Sequence, residues 1–71
     1  MKLHYYPETD SLYIDLNNSK SEDSQEIAEG LVVDFDADGN IVGIDIDRAS
    51  EKLDLKTIEA VNLPKLLTSI G

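Results

Sequence analysis

Leu31-Val32-Val33-Asp34-Phe35-Asp36-Ala37-Asp38-Gly39-Asn40-Ile41-Val42-Gly43-Ile44-Asp45-Ile46-Asp47 decides the fold, because it reads as two strands closed by a tight turn. Apolar and polar residues alternate with the period of two that a half-buried strand requires. Asp38-Gly39 supplies the turn, since a two-residue hairpin loop needs positive φ. Centring there sets Phe35 opposite Val42, Val33 opposite Ile44 and Leu31 opposite Ile46, so that large apolar groups meet on one face. A slip of one residue would bring the same groups against Asp34 or Asp45, and the register is thereby specified.

The stretch also has a second reading. Asp34, Asp36 and Asp38, then Gly39, then Asp45 at the twelfth position, resemble the spacing of a calcium-binding EF-hand loop. The last position is Asp where the loop wants a longer, bidentate Glu, and the flanks alternate as strands where the motif needs helices. The hairpin explains every apolar residue without an ion, so no metal is expected. A weak divalent-cation site on Asp34, Asp36, Asp38 and Asp45 stands as the alternative.

Toward the N-terminus a second hairpin follows from the same logic. With Pro7-Glu8-Thr9-Asp10 as the turn, Tyr5 faces Leu12, Leu3 faces Ile14 and Met1 faces Leu16 on an apolar side. His4 then faces Tyr13 and Lys2 faces Asp15 on the other. Residues 17–23 are polar and rich in turn formers, which predicts a mobile loop. Ser24 to Glu29 fits a short strand, and Gly30 a turn or bulge. Beyond Asp47 the period changes: Leu53, Leu55, Ile58 and Val61 recur at helical spacing, with Ser50 or Asp54 as N-cap and Asn62 and Pro64 closing the helix. Leu66, Leu67 and Ile70 leave open one further turn or a frayed end. The expected architecture is α+β: an antiparallel β-meander of four or five strands, ordered as in the sequence, with one C-terminal helix packed on the sheet. A length of 71 residues leaves room for a single domain over 1–71, the meander in 1–47 and the helical segment in 48–71.

Charge and composition narrow the function. The net charge is -9, from 15 acids and 6 bases, and residues 1–50 hold twelve of the acids but three of the bases. Such a surface is repelled by phosphate backbones and anionic membranes, which argues against nucleic-acid and membrane partners. It favours a basic protein. Cysteine is absent, so disulfides, thiolate zinc sites and a Cys nucleophile are excluded. The start of the chain runs straight into strand pattern without a signal-like apolar stretch, and the expected compartment is the cytoplasm.

No residue set points to catalysis. His4 is the single histidine, and pairing with Tyr13 across the strands is its ordinary use. The serines fall in turns, loops or a cap with no histidine near, and the glycines match no phosphate-cradling loop. No catalytic residue and no cofactor are expected, and the chain reads as a non-enzyme. An enzyme of unknown type, using His4, Tyr13 and the outer acids, remains the last alternative. The outer face sets Tyr6, Tyr13, Val32 and Ile41 among Asp15, Asp34, Asp36 and Asp45, and aromatic and aliphatic groups ringed by acids read as an interaction face. Self-association as a homodimer, or capture of a basic protein, is the expected role.

Tyr5-Tyr6-Pro7-Glu8-Thr9-Asp10-Ser11-Leu12-Tyr13-Ile14, Gly30-Leu31-Val32-Val33-Asp34-Phe35-Asp36 and Gly39-Asn40-Ile41-Val42-Gly43-Ile44-Asp45-Ile46 together resemble a small prokaryotic family, domain of unknown function 2283. The likeness spans about residues 1–50, with Tyr6 standing where the family usually has an aspartate. It implies a β-meander and no established activity, cofactor or catalytic residue. Members look like companions of small basic toxin-like proteins, which implies a partner of that kind.

Overall fold

The computed structural model describes residues 1–64. Five antiparallel strands form one sheet: β1 (Lys2–Tyr6), β2 (Ser11–Asp15), β3 (Asp23–Ala28), β4 (Leu31–Phe35) and β5 (Ile41–Ile46). One short helix, α1 (Ala49–Lys52), follows. The α+β class and the meander-like sheet expected from the sequence are both present.

Strand order corrects the expectation. It runs β1-β2-β5-β4-β3, so that β5 lies between the two hairpins and does not follow β4 to an edge. The reason is apolar content. Leu12 lies opposite Ile46, which lies opposite Leu31, and Ile14 opposite Ile44, which lies opposite Val33, giving two unbroken apolar rows across three strands. Segment β5, rich in Val and Ile, gains a neighbour on each side. Segment β3, whose residues are polar but for Ile27 and Ala28, takes an edge. The connection from β2 to β3 crosses one end of the sheet, where Leu16 N–H donates to the Val42 carbonyl at 2.9 Å and Glu22 N–H to the Phe35 carbonyl at 2.8 Å.

The first hairpin keeps the expected register throughout its strands, from Lys2 opposite Asp15 to Tyr6 opposite Ser11. In the second, Val33 opposite Ile44 and Leu31 opposite Ile46 are also as expected, but Phe35 lies opposite Ile41 and not Val42. An irregularity between Asp34 and Phe35 takes up the extra residue. Its cause is the loop. Asp36 folds its carboxylate inward to accept the amides of Asp38 at 3.0 Å and Asn40 at 2.9 Å, and its own N–H donates to the Asn40 carbonyl at 2.8 Å. Asp36 thus closes the loop that Asp38 was expected to serve. At the other end of β4, Gly30 makes the β3–β4 turn with φ +74, a conformation that costs other L residues.

The helix is far shorter than the apolar spacing predicts. Leu53 is already extended, with φ -127 and ψ 152, and residues 54–64 form neither helix nor strand. Asp54 accepts the Lys56 amide at 3.1 Å, capping a turn where it was expected to start a helix. Ser50 is not the N-cap either. Arg48 occupies that position in left-handed conformation with no side-chain cap bond. The expected turn at Leu66, Leu67 and Ile70 lies outside the described residues.

The core is thin. Among the described residues Leu12, Val33, Val42 and Ala49 are its buried apolar members, while Leu3 and Tyr5 stay nearly half exposed. Leu55 and Ile58, with Leu3, Tyr5 and Leu12, line an apolar cleft of about 450 Å³. No helix among the described residues is long and apolar enough to cross a membrane.

Candidate functional site

On the outer face the strand register gathers most of the residues marked by the sequence. One row across the sheet is His4, Tyr13, Asp45, Val32 and Glu26; the next is Lys2, Asp15, Gly43, Asp34 and Ser24. Tyr13, Asp15, Val32, Asp34 and Asp45 therefore share the centre. Tyr6 sits at the end of β1, opposite Ser11. Asp36 and Ile41 belong to the β4–β5 loop and its margin, where the Ile41 carbonyl accepts from Asn17 Nδ2 at 3.1 Å.

Gly43 determines the geometry of this centre. Because it has no side chain, the Tyr13 ring lies across β5, and a β-carbon at Gly43 would run into that ring and its hydroxyl. Tyr13 Oη reaches Asp34 Oδ2 on β4 at 2.9 Å, and Ser24 Oγ on β3 donates to Asp34 Oδ1 at 2.6 Å. One carboxylate on β4 thus ties in β3 and, across β5, β2. Burial, with the Asp34 bond second, pushes the Tyr13 phenol up to about 12. A phenol so held keeps its proton at neutral pH and donates a hydrogen bond to Asp34.

Asp45 differs from its neighbours. Partial burial, then the charges of Asp47 and Asp34, raise its carboxyl above the usual aspartate value. Among the described residues no hydrogen-bond donor offsets this, and no acid of the face is in an ion pair, although Lys2 lies opposite Asp15: the one ion pair is Arg48 Nη2 to Glu29 Oε1 at 3.8 Å. The acids expected as an alternative cation site do not converge. Asp34 is engaged by Tyr13 and Ser24, Asp36 by its own loop, and among the described residues no three acidic or histidine side chains are arranged to hold a metal.

Two features escaped the sequence reading. A shallow polar hollow of about 620 Å³ lies beside the outer face, lined by Thr9, Ser11, Glu26, Glu29, Gly30, Asp47 and Arg48. Its walls come from three separate turns, so no local motif announces it. The second is Asp10, with φ +52 in the first turn. Its carboxylate accepts the Ser50 amide at 3.1 Å, the Ser50 hydroxyl at 2.6 Å and the Tyr5 hydroxyl at 2.7 Å. Its carbonyl accepts the Ala49 amide at 2.8 Å. These bonds, the Ser50 hydroxyl first, hold the Asp10 carboxyl below the ordinary range. They also dock α1, which has no cap of its own.

The family model described as Protein of unknown function (DUF2283) matches residues 2–50, which take in all five strands and the start of α1. No curated protein and no solved structure matches the chain.

Proposed function

We infer that this chain, which belongs to the DUF2283 family of proteins of unknown function, is a protein-interaction module whose outer sheet face receives a basic partner. The observation that carries the reading is the uncompensated acid at the centre of that face. Asp45 has its pKa raised by partial burial first and then by the charges of Asp47 and Asp34, and it is in no ion pair among the described residues. A lysine or arginine from a partner would relieve that repulsion and, in the desolvated centre of an interface, bind more strongly than at a free surface. Val32 beside Asp45 offers the apolar contact that excludes water around such a pair. The net charge of -9 adds long-range attraction for a basic protein.

A lysine-rich peptide titrated into the labelled protein tests this. Amide shifts are expected at Val32, Asp34 and Asp45, shrinking as salt rises. Asp45→Asn is expected to weaken binding roughly tenfold, as loss of one charge-assisted contact does. Shifts confined to the turns, or equal affinity in the variant, would remove the outer face from consideration.

A further inference from the structure

We propose that the free edge of β1 pairs antiparallel with β1 of a second copy of this chain, forming a symmetric dimer with a continuous ten-strand sheet. An edge strand presents unpaired backbone N–H and C=O groups, and proteins ordinarily guard such edges with charges, prolines or bulges. The two edges of this sheet differ in that respect. Strand β3 is guarded by Asp23, Glu26 and an irregularity between Glu26 and Ala28. Strand β1 runs Lys2-Leu3-His4-Tyr5-Tyr6 with regular pairing, every residue exposed, and neither bulge nor proline within it. Its one charge, Lys2, already faces Asp15 across the hairpin.

Charge selects the second copy as the occupant. In a chain of net charge -9, β1 is the sole strand among the described residues without Asp or Glu, and so the one sheet edge along which two copies approach without opposing acids. A basic partner has no reason to choose a strand that carries Lys2. The sequence of β1 is also self-complementary. Pairing centred on His4 sets Leu3 against the partner's Tyr5 and Tyr5 against the partner's Leu3, on the apolar face where both are nearly half exposed. Lys2 then lies opposite the partner's Tyr6, a contact that symmetry repeats.

Continuity with the cleft supports the same arrangement. Leu3 and Tyr5 line the apolar cleft with Leu12, Leu55 and Ile58, so joining two β1 edges brings two clefts side by side and covers their open rims. Tyr5 is already held for this contact, since its hydroxyl donates to Asp10 at 2.7 Å. The dimer uses the sheet edge and leaves the outer face free, so it stands or falls separately from the binding of a basic partner.

Sedimentation of the full chain from micromolar to millimolar concentration tests the proposal, alongside Leu3→Glu and Lys2→Glu. The wild type is expected to reach twice the chain mass as concentration rises. Both variants are expected to dissociate at concentrations at least roughly tenfold higher, with unchanged far-UV circular dichroism. Outward-facing amides of β1 should gain exchange protection in the dimer while those of β3 do not. Should Leu3→Glu unfold, the exposed Lys2→Glu change and the β1 protection decide alone. A wild type that stays monomeric at millimolar concentration, a dimer indifferent to Lys2→Glu, or protection arising at β3 would overturn the proposal.

Discussion

Asp10 gathers the Tyr5 hydroxyl and both donors of Ser50, and each bond favours its ionised form. Asp36 is similarly lowered, chiefly by the Asn40 amide. A carboxyl whose folded pKa lies below the ordinary 3.8 binds fewer protons folded than unfolded. The stability it adds is complete above 3.8 and disappears as pH falls through the folded value. Thermal melts should therefore be insensitive to these two groups at neutral pH and weaken in acid below 3.8. Asp10→Asn should flatten that acid dependence and raise amide exchange at Ala49 and Leu53. Asp45 has the opposite sign: its raised pKa means the folded state binds the extra proton, so stability is lost as pH rises through the window above 3.8. Asp45→Asn is expected to stabilise at neutral pH by roughly 0.2–1 kcal/mol, the range for relieving like charges on a sheet face, as read from urea melts.

At the scale of elements, the sheet depends on β5 and on the crossing of Gly43 by Tyr13. Gly43→Ala forces the ring away and should cost about 1–3 kcal/mol, the range for overpacking. Tyr13→Ala in the same chain should remove most of that penalty, which a double-mutant cycle by urea denaturation would measure. The irregularity beside Phe35 separates two neighbours of unlike weight. Val42 is 3% exposed and Ile41 47% exposed. Val42→Ala should cost roughly 1.5–3 kcal/mol, the worth of a fully buried side chain, and Ile41→Ala visibly less. Equal costs would contradict the shifted register.

For the whole molecule the charge balance adds self-repulsion to the conformational entropy that opposes folding. Fifteen acids against six bases, with one ion pair among the described residues, make a charge distribution that salt should calm. The melting temperature is expected to rise with sodium chloride before any specific ion effect enters. Flat behaviour would mean that the acids are too far apart to repel. A small fold with four buried apolar residues among those described, three of them in the sheet, has little stability in reserve, so this effect should be easy to measure.

Alternation determined four of the strands, the first hairpin's register and the inner pairs of the second, because a period of two leaves one way to keep apolar groups together, whereas β3 carried no such pattern. The sequence likewise placed Tyr13, Val32, Asp34 and Asp45 on one face. It did not reveal the strand order, since pairing β2 with β5 joins residues 28 to 34 positions apart and depends on which strand has apolar rows to share on both sides. Apolar spacing after Asp47 imitated a helix, but the chain leaves the helix at Leu53, and of those side chains only Leu55 and Ile58 line the apolar cleft, while Val61 stays exposed. Asp10 and Ser50, forty residues apart, and Tyr13 lying over Gly43 to Asp34, exist as contacts only in the folded chain. Local periodicity reports which way a residue points; what it meets there is decided by the other strands.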